Sequence, residues 1–87
     1  MDSQKFMELG RQLIVDYANE HVEKTDGKKI IADDVYVVWL CKTLQNNKAL
    51  LSTTLTDGMY YELTLNGDKQ EIYLDVYKKW ENKAIRV

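Results

Sequence analysis

Residues 35–65 read VYVVWLCKTLQNNKALLSTTLTDGMYYELTL and contain three apolar stretches separated by two tight-turn signals. Asn46-Asn47 interrupts the first pair of stretches, and Asp57-Gly58 interrupts the second. Both dipeptides tolerate the positive φ angles that short hairpins require. The segment therefore predicts a three-stranded antiparallel meander, with strands near 35–44, 48–56 and 59–66.

The residues before the meander repeat with helical spacing. A helix is predicted over about 3–24, with Ser3 as its N-cap and Asp26-Gly27 as its stop. Gly10 falls in the middle of the apolar stripe, where glycine lowers helix propensity by roughly 1 kcal/mol relative to alanine. We therefore expect this helix to approach the sheet closely at position 10.

The residues after the meander allow two interpretations. Asp68 and Glu71 have the spacing of a capping box. A coherent apolar arc runs from Ile72 to Trp80, which favours a second helix over about 68–80. The run 71–75 also alternates as a fourth strand would. With the helix preferred, the fold class is α+β in the order α-β-β-β-α, with both helices on one face of the sheet.

Length and composition indicate a single domain that spans residues 1–87. Twelve basic and fourteen acidic residues give a net charge of −2 with the signs interleaved, which disfavours nucleic-acid binding. No apolar run approaches the roughly 20 residues of a membrane span, so we expect no membrane association and a cytoplasmic location.

The chain offers little material for catalysis. Cys41 is the only cysteine and lies in an apolar run, so we interpret it as a small core residue. His21 is the only histidine, and no serine or cysteine triad is evident around it. The tight pair Asp33-Asp34 is better explained as a turn than as a metal site. We predict no enzyme activity, no metal and no cofactor.

The face of the meander that the helices leave open is the best functional clue. Leu50 and Tyr60 belong to that face, and strand 35–44 is apolar on both faces, so the sequence leaves open which of its rows joins them. Exposed apolar patches mark interaction surfaces. The predicted protein-binding residues are Tyr36, Lys42, Leu50, Tyr60 and Glu62.

Three segments, 38–54, 57–62 and 73–82, carry a family resemblance that extends over nearly the whole chain. Together they resemble an uncharacterised family of small proteins encoded by phages and prophages of Gram-positive bacteria. The family has no established activity, so the resemblance transfers no functional residue. It implies a phage accessory protein, and such proteins commonly act by binding.

These observations support a non-enzymatic binding protein, which acts in counter-defence by inhibiting a host immune effector through protein–protein contact and forms a homodimer. One alternative is a sponge that sequesters a nucleotide signal between tyrosines and lysines. Another is a structural or regulatory phage accessory protein. The sequence names neither the partner nor the ligand.

Overall fold

The computed structural model describes residues 1–21, 28–44 and 46–87. One helix packs on a four-stranded antiparallel sheet with the strand order β1-β2-β3-β4. A short 3-10 turn leads into the first strand. The elements are α1 (Ser3–Glu20), the 3-10 turn (Ala32–Asp34), β1 (Val35–Thr43), β2 (Asn46–Thr53), β3 (Met59–Asn66) and β4 (Glu71–Lys78).

The prediction of a second helix, and with it the three-stranded sheet covered by two helices, is wrong. Residues 71–78 form β4, which pairs with the whole of β3 from Asn66↔Glu71 to Met59↔Lys78. The segment is rich in β-branched and aromatic residues, which suit a pleated strand. Pairing with β3 also satisfies the backbone groups that an uncovered β3 would leave at the sheet edge.

Helix α1 begins where the sequence predicts but with a different cap. Asp2 is the N-cap, and its Oδ1 accepts a hydrogen bond of 2.8 Å from the backbone N–H of Lys5. Ser3 is instead the first helical residue, and its Oγ donates to Oδ1 of Asn47 over 3.4 Å. The helix ends at Glu20. The predicted stop at Asp26-Gly27 lies outside the described residues.

The two predicted hairpin turns have different outcomes. Asp57-Gly58 does form a bend, in which Gly58 has a φ of +71° and Oδ1 of Asp57 accepts a hydrogen bond from the Met59 N–H. Asn46 and Asn47 are not a turn, because both already belong to β2 and pair with β1. The chain reverses before them, where Leu44 has a φ of +56°.

The core lies between α1 and the facing side of β2 and β3. Gly10 allows the close approach that its position predicts, because a Cβ at this residue would overlap the side chain of Leu63. Tyr17 packs edge-on against Tyr61, with ring centroids 6.2 Å apart. The buried apolar side chains are Phe6, Ile14, Val15, Ala18, Ile30, Val35, Ala49, Leu51, Met59, Tyr61, Leu63 and Leu65.

An irregularity in β1 changes the direction of its side chains. Val37 pairs with Leu51, but Trp39 pairs with Leu50, so Val38 is an extra residue on the β1 side. A bulge of this kind reverses the alternation of the strand after it. Beyond Val38, therefore, Trp39 and Cys41 face away from α1, and Leu40 faces towards it.

Candidate functional site: the open face of the sheet

The sheet face opposite α1 has no covering element among the described residues, and we call it the open face. The register places one residue of each strand in every row across it, such as Tyr36, Ser52, Tyr60 and Tyr77. Antiparallel partners point to the same side of a sheet. The side chains of the open face are Tyr36, Trp39, Cys41, Thr43, Asn46, Lys48, Leu50, Ser52, Tyr60, Glu62, Thr64, Asn66, Glu71, Tyr73, Asp75 and Tyr77.

Five of the sixteen side chains of the open face are aromatic, and we call them the aromatic cluster: Tyr36, Trp39, Tyr60, Tyr73 and Tyr77. Tyr36, Trp39, Tyr73 and Tyr77 are large apolar residues that are each between 40% and 52% exposed. Tyr60 lies between Tyr36 and Tyr77 in the same row and is half-buried. Trp and Tyr are the residues that most often supply the binding energy of a protein interface. This composition is typical of an interaction surface rather than of a solvated sheet face.

Two shallow concavities lie along the aromatic cluster. One, of about 370 Å³, runs along the β1 edge and is lined by Trp39, Cys41 and Lys48 among others. The other, of about 440 Å³, lies between Tyr36 and Tyr60 and is bounded by Lys79. The open face is therefore shaped to receive protruding side chains at two places.

The charged groups of the open face are mostly acidic. Lys48 is its one lysine, and its Nζ lies 3.6 Å from Oε1 of Glu62. Glu71 accepts a hydrogen bond from the Tyr73 hydroxyl, which raises the pKa of Tyr73. Asp75 forms no ion pair with the described residues. On the four strands, one lysine against three carboxylates leaves the face with a net negative charge; Lys79, which follows β4, adds one positive charge at the border of the second concavity.

Four of the five predicted binding residues meet on the open face. Tyr36, Leu50, Tyr60 and Glu62 lie on adjacent strands, and Leu50 is directly opposite Glu62. Lys42 does not join them, because the bulge at Val38 turns it to the helix side, where it pairs with Asn47.

Three aromatic residues of the cluster were not predicted as site residues. Trp39 reaches the open face only because of the bulge, and no residue type in β1 signals that irregularity. Tyr73 and Tyr77 reach it because 71–78 is a strand. The sequence does contain a sign of this strand, because Ile72, Leu74 and Val76 alternate with polar or tyrosine residues.

The residues with chemical reactivity are far apart in the fold. His21 ends α1, where it stacks on Tyr17 with centroids 4.1 Å apart and its Nδ1 lies 2.8 Å from the Tyr17 carbonyl oxygen. Cys41 lies on the opposite side of the sheet and is exposed, so the prediction of a core cysteine is wrong. In the part of the chain that the structure describes, no three His, Cys, Asp or Glu residues are grouped to hold a metal ion.

Two polar side-chain atoms are buried in β3 and in the bend before it. The Tyr61 hydroxyl and Oδ2 of Asp57 each lack a hydrogen-bond partner among the described residues. Burial, reinforced by the negative charge of Asp57, raises the pKa of Tyr61 to about 12. The phenol is therefore neutral at physiological pH, and it faces the core rather than the open face.

Comparison with known proteins places the chain in a family but gives no activity. Residues 7–87 match the model of a family of unknown function, DUF6275, and the chain belongs to that family. No curated protein and no solved structure shows a significant match. Among the described helices, none combines the length and apolar character needed to cross a bilayer.

Proposed function

We propose that this protein is a non-enzymatic binding protein and that its open face contacts a partner protein. The observation that carries this proposal is that Tyr36, Tyr60 and Tyr77 share one row of a sheet face that no described element covers, with Trp39 in the next row and Tyr73 in the row after it. An antiparallel sheet can leave one polar face to water. The exposed aromatic rings add apolar area to this face, and a partner protein would bury that area.

The negative charge of the open face indicates which kind of partner surface would bind to it. Three carboxylates against one lysine favour a partner that combines an apolar anchor with arginine or lysine side chains. Arginine in particular can stack on tyrosine rings and pair with Asp75. The same charge disfavours nucleic acid, since its affinity depends on neutralising phosphates with cations.

The family resemblance of the sequence supports a biological setting for this binding. A small accessory protein of a phage that infects Gram-positive bacteria acts in the host cytoplasm. There, a protein that covers a basic and apolar surface of an immune effector would inhibit it by occlusion. Counter-defence is therefore the role that we propose for the contact.

A site-specific cross-linking experiment tests the contact. A photoreactive amino acid is introduced into the full chain at position 77 on the open face or at position 8 on α1, and each chain is expressed in an infected host. The partner captured from position 77 is then purified, and its affinity is measured for Tyr77→Ala, Tyr36→Ala and the control Glu8→Ala. Glu8 is exposed like the two tyrosines but lies on α1.

We expect each tyrosine variant to weaken binding by about 10-fold or more. Glu8→Ala should bind like the wild type, and all three variants should keep the wild-type circular dichroism spectrum. Capture of the partner from position 8 alone, or equal affinity of all variants, would contradict the proposal. The role in counter-defence is tested separately, by plating a sensitive phage on hosts with and without the effector.

The 440 Å³ concavity favours a second candidate function, the sequestration of a nucleotide. Tyr36 and Tyr60 both neighbour Ser52, so two strand spacings, roughly 9–10 Å, separate their backbones over a small residue. A planar base could stack there, with Lys79 near its phosphate. A rise in melting temperature with cyclic dinucleotides or nucleoside triphosphates, lost in Tyr60→Ala, would support this function.

A further inference from the structure

Helix α1 covers only part of the sheet face on which it packs. Asn19 bonds to both backbone groups of Ile30, at 3.0 and 2.9 Å, which ties one side of the helix to the segment leading into β1. Val15 and Ala18 are buried on that side. Helical geometry places Leu13 about 140–160° from both of them, so Leu13 lies on the side that faces β4.

A strip of partly exposed apolar side chains lies along this side of the helix and the inward row of β4, and we call this strip the groove. Leu9 and Leu13 form one wall and are about 40% exposed. The inward row of β4, Ile72, Leu74 and Val76, forms the floor and is half-buried. An α+β layer of this kind normally places a further element over such a strip. The groove occupies the place where the sequence analysis expected the second helix.

Residues 79–87, which we call the arm, carry apolar side chains that the rest of the chain does not cover. Every residue of the arm is exposed, and Trp80 is 95% exposed. Ile85 and Val87 are similarly open to solvent. The first arm residue is fixed, because the Lys79 N–H donates to the Gly58 carbonyl oxygen over 2.7 Å.

The position of Lys79 directs the arm away from the groove of its own chain. Lys79 follows Lys78, which pairs with Met59 at the end of the sheet, and the groove runs back from that end along β4. The arm would have to reverse its direction to lie there, whereas an arm from a second molecule can enter without a turn.

The charge of the arm is complementary to that of the groove. In an extended conformation residues 79–87 reach about 30 Å, enough to follow the eight residues of β4, which span about 27 Å. The arm carries Lys79, Lys83 and Arg86 against the single acid Glu81. The groove side of α1 presents the exposed carboxylates of Asp16 and Glu20, at the end where α1 finishes.

We propose that two copies of this chain exchange arms, each arm filling the groove of the other copy with Trp80 as its anchor. A standard interface buries roughly 1,600 Å² in total, so each of the two arms and each of the two grooves must contribute about 400 Å². Trp80 alone would supply about 150–250 Å² of the area that its arm buries. The exchange of arms leaves the open face of each copy free. The dimer therefore does not depend on the partner contact proposed above, and either proposal can be wrong while the other is right.

Sedimentation velocity of the full chain at several concentrations tests the exchange. The expected result is a dimer of 20.4 kDa, which is twice 10.2 kDa. Trp80→Ala should raise the dimer dissociation constant by about 30-fold or more. The matched control is Trp39→Ala, because Trp39 is the other tryptophan and lies on the open face. A monomer at all concentrations, or a dimer weakened only by Trp39→Ala, would overturn the proposal.

Disulfide trapping distinguishes exchange from an arm that folds back on its own chain. In a Cys41→Ser background, one protein carries Leu13→Cys and a second carries Ile85→Cys. Mixing them should give a disulfide-linked species of 20.4 kDa, again twice 10.2 kDa, above the level of either protein alone. If a chain with both substitutions instead closes its disulfide internally and stays monomeric, the arm belongs to its own groove and the proposal fails.

Discussion

Trp39 lies opposite Leu50 across β1 and β2, although two positions earlier Val37 lies opposite Leu51. Val38 absorbs the difference as a bulged residue. The consequence is that Tyr36 and Trp39 share the open face although they are three positions apart, an offset that would put them on opposite faces of a regular strand. This bulge therefore assembles the β1 side of the aromatic cluster.

The bulge makes a prediction about deletion. Removing one valine of the Val37-Val38 pair should straighten β1 and keep every later pair, including Trp39 with Leu50, because Val38 is unpaired. We expect a change in unfolding free energy within about 1 kcal/mol. Deleting the fully buried Ala49 instead would shift the register of β2 with both β1 and β3. We expect that deletion to lower the unfolding free energy several-fold more. Denaturant unfolding measures the unfolding free energy of both deletion variants. Equal losses of stability would contradict the assignment of Val38 as a bulged residue.

Gly10→Ala tests the close approach of α1 to the sheet. Alanine favours a helix by about 1 kcal/mol, but its Cβ would overlap the buried Leu63 side chain. We expect overpacking to dominate and the protein to lose about 1–2 kcal/mol of stability. In a Leu63→Ala background the space is available, so the same change should become neutral or stabilising. A stabilising effect in the wild-type background would refute the close contact.

Leu44 adopts a left-handed conformation that costs a leucine about 1–2 kcal/mol. Its side chain is 89% exposed, so replacing it removes little packing. Leu44→Asn should therefore raise stability by about 0.5–1 kcal/mol, since asparagine tolerates positive φ. The matched change Thr43→Asn, in the extended part of β1, should be neutral or destabilising. Thermal unfolding of both variants measures the difference.

Tyr61 predicts a loss of stability at alkaline pH. Its pKa is about 12 in the folded protein and about 10 when unfolded, so the folded state holds the proton more tightly. The stability from the neutral phenol is complete below pH 10 and is lost as pH rises towards 12. Tyr61→Phe should remove this part of the pH dependence, as measured by urea unfolding at pH 8, 10 and 11.

Tyr61→Phe also tests the unpartnered hydroxyl. A buried hydroxyl without a hydrogen bond contributes nothing to offset its desolvation, so its removal should be neutral or stabilising by up to about 1 kcal/mol at pH 7. The contrasting change is Ser52→Ala, because the buried Ser52 hydroxyl donates to the Met59 carbonyl oxygen over 2.8 Å. Its loss should cost about 1–2 kcal/mol. A larger cost for Tyr61→Phe than for Ser52→Ala would disprove the assignment.

The sequence predicts β3 to the residue, because clean alternation between Met59 and Asn66 coincides with a covered and an open face. It also predicts the contact at Gly10. Segment 71–78 was mispredicted because its apolar residues fit both a helix and a strand. Ile72, Tyr73, Val76 and Tyr77 would share one side of a helix, whereas in the strand Ile72 and Val76 point to one face and Tyr73 and Tyr77 to the other. Long-range pairing with β3 decides between the two, and local periodicity does not contain that information.

The residues of the open face were predictable in strands whose side chains alternate regularly between the two faces. They were not predictable in β1, where a bulge interrupts the alternation. Tyr60 and Glu62 follow directly from the period of β3. Tyr36 also reaches the open face, but Lys42 does not, because the bulge between them changes the parity of the strand. A bulge arises from tertiary pairing and twist, and two adjacent valines give no local sign of it.

The sheet is a single layer, and the described part of the molecule measures 40 × 38 × 19 Å, with 19 Å as its thinnest dimension. Its helix side and its open face are thus turned in opposite directions. If two copies join through their helix sides, the aromatic surfaces point outward and away from each other. Such a particle cannot clamp one compact target with both surfaces. It would bridge two separate target molecules, so its potency should depend on whether those targets are themselves clustered.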